Sequence, residues 1–101
     1  MGFLEFIFSA KTRQVKDYIK NGAIILDVRS QREWDAGHIE NSVHIPIDEL
    51  NNRFEEVKKL NKPVIACCAS GVRSAKAAKF LTLNNVAAIN GGGWVNVKSK
   101  L

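Results

Sequence analysis

Residues 67–74 combine a reactive type of side chain with the features of an anion-binding loop. They read CCASGVRS and directly follow an apolar run at residues 63–66. This order predicts a buried strand, then a short loop, then the first turn of a helix. Such a geometry directs backbone N–H groups and the positive end of a helix at one point, which favours an anion. A thiol at that point loses its proton more easily, so the segment predicts a cysteine nucleophile.

The two adjacent cysteines are expected to remain free thiols. Successive residues of a strand point to opposite faces of a sheet, so Cys67 and Cys68 are poorly placed to form a disulfide with each other. Two cysteines without a Cys–His spacing do not form a zinc site, and thiol chemistry needs neither a metal nor an organic cofactor. Free thiols suit a reducing compartment, which makes the cytoplasm the expected location.

Length and composition indicate one globular domain with a basic surface. The 101 residues are 46% hydrophobic and 25% charged, which excludes an intrinsically disordered chain. The formal net charge is +5, but the lysines are scattered along the chain and no nucleic-acid-binding motif accompanies them. We therefore expect a small anionic ligand rather than nucleic acid.

Residues 1–9 form an apolar start to the chain. They are too short for a membrane span, lack the basic start of a signal peptide and include Glu5. We expect an extension that either packs on the domain or lies in an interface. The domain itself is then expected at residues 10–101.

Strand and helix patterns alternate along the rest of the chain. Helices are predicted at residues 9–21, 30–37, 48–60 and 72–83, and strands at residues 23–28, 42–45, 64–67 and 86–89, followed by a glycine turn at residues 91–93. This alternation predicts an α/β fold with a mainly parallel sheet of about four to five strands, flanked by helices on both faces. Ligands of such sheets bind beyond the carboxyl ends of the strands, where the cysteine-containing loop would lie.

The chain resembles the single-domain rhodaneses, a family of sulfurtransferases, over roughly residues 10–95. Several motifs occur in the family's order, namely Leu26-Asp27-Val28-Arg29, Glu33, Gly37-His38-Ile39, Ser42 with Ile45-Pro46, Cys68-x-x-Gly71-x-Arg73-Ser74 and Gly91-Gly92-Gly93-Trp94. The resemblance implies an α/β fold and a persulfide on Cys68. It also implies transfer of sulfane sulfur from an anionic donor, either thiosulfate or a persulfide that could belong to a protein. The acceptor would be thiophilic, such as cyanide or a thiol.

The length of the loop up to Arg73 depends on which cysteine is taken as the nucleophile, and the two lengths are typical of two different chemistries. From Cys68 to Arg73 the spacing is C-x4-R, the rhodanese length, whereas from Cys67 it is C-x5-R, the length used by cysteine-dependent phosphatases and arsenate reductases. Gly71 stands where the rhodanese pattern requires it, and Ala66 replaces the histidine that typically precedes the phosphatase cysteine. These features favour Cys68 and sulfur transfer. A phosphatase or arsenate reductase that uses Cys67, and a non-catalytic binding module, remain alternatives.

The backbone of the loop is expected to hold the charge of the Cys68 persulfide, as an oxyanion hole holds an oxygen. The amides expected to do so are those of Ala69, Ser70, Gly71, Val72, Arg73 and Ser74. Some thiosulfate-using rhodaneses have a basic residue directly after the nucleophile, whereas this chain has Ala69. Modest affinity for thiosulfate is therefore expected.

The charged and aromatic residues near the loop are expected to support it rather than to transfer protons. Arg73 should brace the loop by pairing with a carboxylate such as Asp27 or Glu33. Asp27 and Arg29, which close the first predicted strand, should form an ion pair or a loop-supporting network. Trp94 could either form one wall of the pocket or pack in the core.

Overall fold

Within residues 2–101, which the computed structural model describes, four parallel strands form one sheet. The strands are β1 (Ile24–Asp27), β2 (Val43–His44), β3 (Val64–Cys68) and β4 (Ala88–Gly93). Their order across the sheet is β2-β1-β3-β4, and each neighbouring pair is parallel. The predicted α/β fold with a parallel sheet is confirmed.

Helices cover both faces of the sheet, also as predicted. They are α1 (Phe3–Lys20), α2 (Gln31–Asp35), α3 (Phe54–Lys58), α4 (Val72–Leu83) and α5 (Trp94–Lys98). Two buried clusters mark the two layers. On one face α1 and α5 pack on the sheet through Val15 and Val97. On the other face α3 and α4 pack on it through Val57, Ala77 and Leu81.

β3 lies at the centre of this arrangement and is buried along its whole length. A strand that is covered on both faces needs apolar or small residues at every position, which explains why its sequence does not alternate. Cys67 belongs to the cluster on the α1 and α5 face, and Cys68 to the cluster on the α3 and α4 face. The two thiols therefore point to opposite sides of the sheet.

α1 begins earlier than the predicted start at residue 9. Gly2 caps it, and the Glu5 carboxylate accepts the Gly2 N–H at 3.3 Å. The helix thus continues through the apolar residues expected to form a separate extension, and the side chains from Phe3 to Phe8 are exposed rather than packed on the domain. Met1 lies outside the described residues. Within residues 2–101, no helix combines the length and apolar character that would let it cross a membrane.

The helix predicted at residues 48–60 is wrong as a single element. A 3₁₀ turn at Ile47–Glu49 comes first, and α3 follows only at Phe54. Asn51 and Asn52 lie between them, and asparagine is a poor helix former. The chain therefore turns where the apolar spacing alone suggested a continuous helix.

The glycine run at residues 91–93 belongs to β4 and is not the predicted turn. At Gly91 a Cβ would lie 2.6 Å from Ile65 Cγ2 and 2.7 Å from Val97 Cγ2. The absence of a side chain therefore lets α5 pack directly on the sheet. α5, which the sequence pattern did not predict, begins immediately after the run at Trp94.

Gly91→Ala should lower the free energy of unfolding by about 1–3 kcal/mol, the usual effect of overfilling a close-packed core. The added methyl group would force α5 away from β4. Urea unfolding followed by circular dichroism measures the change. Gly2→Ala is the matched control, since nothing lies within 4 Å of the Cβ position there. Equal stability of the two variants would contradict the packing argument.

Candidate active site

Cys68 lies at the carboxyl end of β3, next to the N-terminus of α4. Residues 69–71 connect the strand to α4, and we call residues 68–74 the Cys68 loop. Gly71 has a φ of 103°, in a left-handed region that favours glycine. A Cβ at this position would also lie 3.3 Å from Gly92 Cα. Gly71 therefore permits the sharp turn that directs the first N–H groups of α4 at the sulfur.

The sulfur of Cys68 is buried and surrounded by hydrogen-bond donors. The Gly71 N–H donates to Sγ at 3.0 Å and the Ser74 N–H at 3.4 Å, while the Ser74 hydroxyl oxygen lies 3.2 Å from Sγ. Burial raises the pKa of the Cys68 thiol, but hydrogen bonds from Ser74, Gly71 and Ser70 outweigh it and lower the pKa to about 7. Cys68 is therefore substantially thiolate at neutral pH, the form that reacts as a nucleophile.

Cys67 has the opposite environment, although it is the neighbouring residue. Burial raises the pKa of its thiol to about 12, and the negative charge of Asp27 adds to this effect. Its side chain packs among apolar residues on the α1 and α5 face, away from the cluster that contains Cys68. Cys67 thus remains a protonated thiol at neutral pH. Within residues 2–101, no group of three or more histidine, cysteine or acidic residues is placed to hold a metal ion.

Arg73 and Glu33 form a two-point ion pair that joins α4 to α2. Arg73 Nη1 donates to Glu33 Oε1 at 2.6 Å, and Nη2 donates to Oε2 at 2.9 Å. The Arg73 guanidinium, together with the Ser30 N–H, lowers the pKa of Glu33 to about 2. Both side chains are 34% exposed, so solvent screens the pair. Its main effect is positional, because it fixes the first turn of α4 beside the Cys68 loop.

A second ion pair, between Asp27 and Arg29, is buried and joins the end of β1 to α2 and α5. Arg29 Nη2 donates to Asp27 Oδ2 at 2.8 Å, and the two side chains are 4% and 1% exposed. Arg29 also donates to the carbonyl oxygens of Gly37 at 2.7 Å and Glu33 at 3.3 Å. Its guanidinium lies over the Trp94 ring, 4.6 Å from the centroid. Asp27 is therefore already paired, and Trp94 packs on this ion pair.

Asn90 is a site residue that the sequence interpretation did not include. Its Oδ1 accepts the Ser74 hydroxyl at 2.7 Å and the Gly92 N–H at 2.9 Å, and its Nδ2 donates to the Gly71 carbonyl at 3.0 Å. One side chain thus holds Gly71 and Ser74, whose N–H groups contact Cys68 Sγ. The sequence did contain a signal for this residue, namely a polar amide directly after an apolar strand pattern. Asparagine is disfavoured in strands, so its presence there indicates a specific role.

A cavity of about 240 Å³ opens beside the Cys68 loop and has positive charge on its lining. Ser70 and the glycines of β4 form one side, and Phe8, Lys11 and Lys100 contribute to the other. Lys11 Nζ lies 3.8 Å from the Cβ position of Gly92. Within residues 2–101, neither lysine takes part in an ion pair. A larger groove of about 820 Å³ lies between α1 and α4. Within residues 2–101, a thiol lines neither space, but Ser70 of the Cys68 loop lines the smaller cavity, whereas no residue of that loop lines the larger groove. The smaller cavity is therefore the candidate substrate site.

Several known proteins are similar to this chain. The model of the family described as "Rhodanese-like domain" matches residues 11–100. The solved structure of a rhodanese-like domain protein from Staphylococcus aureus is 32% identical, with a TM-score of 0.69 over 82% of this chain and 86% of that one. Part of an NAD-dependent persulfide reductase from A. fulgidus is 34% identical, with a TM-score of 0.60, over 73% of this chain and 14% of that one.

Among curated proteins, the uncharacterized protein YqhL of Bacillus subtilis is 39% identical over 62 residues. The match covers 61% of this chain and 48% of the Bacillus subtilis protein. This chain therefore matches about half of the length of that relative.

Alkylation of Cys68 should depend on pH as its pKa requires. The rate of reaction with iodoacetamide should reach half of its maximum near pH 7, because only the thiolate reacts. Ser74→Ala removes the hydroxyl beside the sulfur and should move this midpoint upward by about one pH unit, the effect of one hydrogen bond to a charged group. Intact mass spectrometry of samples quenched at intervals measures the rates.

Cys67→Ser is the control for this experiment. A buried thiol with a pKa of about 12 should contribute nothing to the alkylation, so the profile of this variant should match that of the wild type. An ordinary cysteine thiol has a pKa of about 8.5. A wild-type midpoint near that pH would contradict the assigned environment of Cys68.

Proposed function

The chain belongs to the rhodanese-like domain family, and we propose that it is a sulfurtransferase that carries sulfane sulfur as a persulfide on Cys68. The environment of this thiol is the observation that carries the proposal. Its pKa is about 7, and the N–H groups of Gly71 and Ser74 point at its sulfur. A thiolate is thus available as the nucleophile, and the same donors stabilise negative charge on sulfur throughout the reaction.

The proposed reaction has two displacement steps at sulfur. In the first, the Cys68 thiolate attacks the outer sulfur of thiosulfate, the sulfur–sulfur bond of thiosulfate breaks, and sulfite leaves with the bonding electron pair. In the second, a nucleophile such as cyanide or a thiolate attacks the outer sulfur of the persulfide. The product is thiocyanate or a new persulfide, and Cys68 leaves as the thiolate. The two steps together need no external oxidant or reductant.

The Cys68 loop is suited to hold the terminal sulfur of the persulfide. The first N–H groups of a helix have no partner within that helix, and those of α4 begin at Val72 and Arg73. We expect these amides, with that of Ala69, to complete the ring of donors already formed by Ser70, Gly71 and Ser74. In this scheme Arg73 acts through its ion pair with Glu33, while Asp27, Arg29 and Trp94 keep α2 and α5 in place.

Three observations favour sulfur transfer over the alternative chemistries. A phosphatase or arsenate reductase would need Cys67 as the nucleophile, but this thiol points to the other face of the sheet and its pKa is raised to about 12. A purely binding module would not need a thiol with a lowered pKa. The likeness to part of a persulfide reductase also supports persulfide chemistry at Cys68.

The sulfur donor is proposed to be a small anion, either thiosulfate or a persulfide, including one on a protein. Lys11 and Lys100 line the cavity beside the loop, so their positive charge attracts such a donor. They supply part of the positive charge that a basic residue at position 69 would provide, since this chain has the uncharged Ala69 there. The free thiols Cys67 and Cys68 are the basis for proposing the reducing cytoplasm as the location.

Incubation with thiosulfate should add the mass of one sulfur atom to the protein, and cyanide should remove it. Intact mass spectrometry of the wild type, Cys67→Ser and Cys68→Ser measures both steps. The adduct should form on the wild type and on Cys67→Ser, because only the Cys68 thiolate is placed to attack. Its presence on Cys68→Ser would contradict the proposed nucleophile, and hydrolysis of an aryl phosphate that depends on Cys67 would favour a phosphatase.

Removing both lysines of the cavity should weaken the use of thiosulfate. The double variant Lys11→Gln, Lys100→Gln should raise KM for thiosulfate by about two- to fivefold at low salt, with kcat little changed, because the lost attraction is that of partly exposed charges. Steady-state thiocyanate formation measures both constants. The double variant Lys58→Gln, Lys59→Gln at the end of α3 removes the same charge elsewhere and should leave KM unchanged. An equal increase in KM in that variant would contradict a local effect.

A further inference from the structure

The first two turns of α1 carry large apolar side chains that the fold does not cover. Their exposed fractions range from 43% for Ile7 to 78% for Phe3. We call this set the apolar tip, and it consists of Phe3, Leu4, Phe6, Ile7 and Phe8. None of these residues belongs to either buried cluster of the described chain, and the family match begins after them, at residue 11. A contiguous exposed apolar patch of this kind marks a surface that binds something.

The arrangement of the tip around its helix favours a lipid surface over a flat protein partner. Successive helical residues are rotated by about 100°, so five apolar residues among positions 3–8 spread over more than half of the helix circumference. A protein partner with one contact face would cover only part of this set. A lipid phase surrounds an inserted helix end and can cover the whole set, while the polar side of the helix stays near the headgroups.

The charged residues that follow the tip are mostly basic. Between residues 11 and 20, α1 has four cationic side chains, Lys11, Arg13, Lys16 and Lys20, and one acidic side chain, Asp17. Lys100 comes from the other end of the chain and lines the same cavity as Phe8 and Lys11. Positive charge thus lies directly behind the tip, in a protein whose formal net charge is +5. Anionic headgroups would pair with this charge when the tip enters the lipid.

From these observations we propose that the apolar tip attaches the protein to the surface of an anionic lipid membrane. The C-terminus of α1 leads directly into the start of β1, so the tip lies toward the opposite, carboxyl edge of the sheet, where Cys68 ends β3. Phe8 of the tip and Ser70 of the Cys68 loop line one cavity. Attachment therefore places the loop beside the lipid headgroups. The inference does not depend on which reaction Cys68 performs.

Co-sedimentation of the full chain with lipid vesicles tests the proposal. The wild type should bind vesicles of equimolar phosphatidylcholine and phosphatidylserine at least about tenfold more strongly than vesicles of phosphatidylcholine alone. Phe3→Ser, Phe6→Ser should reduce this binding by about tenfold or more, because two aromatic anchors are lost. Arg13→Gln, Lys16→Gln should weaken binding to the anionic vesicles, as added salt should for the wild type.

Leu83→Ser is the matched control, since Leu83 is 72% exposed but lies at the end of α4; it should bind like the wild type. Circular dichroism and Cys68 alkylation verify that each variant is folded. Absence of vesicle binding, equal binding to both vesicle types or an equal loss in Leu83→Ser would overturn the proposal. If light scattering then shows a dimer that Phe3→Ser, Phe6→Ser converts to a monomer, the tip joins two copies of the chain instead.

Discussion

The buried ion pair between Asp27 and Arg29 is the contact on which the geometry of the site depends. Removing either partner would leave the other charge unpaired in the interior, which is strongly unfavourable. Arg29 directs its remaining donors to the carbonyl oxygens of Glu33 and Gly37, and so holds α2 against the end of β1. α2 then presents the Glu33 carboxylate to Arg73 on α4. The position of the first turn of α4 thus depends on one pair at the end of β1.

The Cys68 loop is held from two sides, by Arg73 through Glu33 and by Asn90 from β4. Backbone N–H groups that are fixed in advance, such as those of Gly71 and Ser74, need no reorganisation when negative charge develops on sulfur. This explains how a residue that is only 1% exposed has a lowered pKa, although burial alone raises it. Cys67 provides the comparison within the same strand. Its side chain is also inaccessible to solvent, and no donor among residues 2–101 contacts its sulfur, so burial raises its pKa to about 12.

Local patterns in the sequence were sufficient for β3, the Cys68 loop and α4, because these elements are consecutive and their signals are short. Contacts between distant segments were not predictable in the same way. The bond between Ser74 and Asn90 joins residues 16 apart, and nothing near Ser74 indicates its partner. The pairing of Arg73 with Glu33 rather than with Asp27 depends on Arg29, which already holds Asp27. Hydrophobicity identified the apolar start of the chain, but it could not show that the fold leaves this segment uncovered.

The Ser74 hydroxyl connects the charge on Cys68 to the far end of β4. It has one proton, which it donates to Asn90 Oδ1 at 2.7 Å, and its oxygen lies 3.2 Å from Cys68 Sγ. While Cys68 is a thiol, its S–H can donate to this oxygen and both contacts are satisfied. When Cys68 ionises, the hydroxyl must turn toward sulfur to stabilise the new charge. Asn90 Oδ1 then keeps the Gly92 N–H at 2.9 Å, so no buried acceptor loses its last partner. Ionisation of Cys68 is thus coupled, through a single hydroxyl, to Asn90, the residue that also binds the Gly92 N–H beside the cavity.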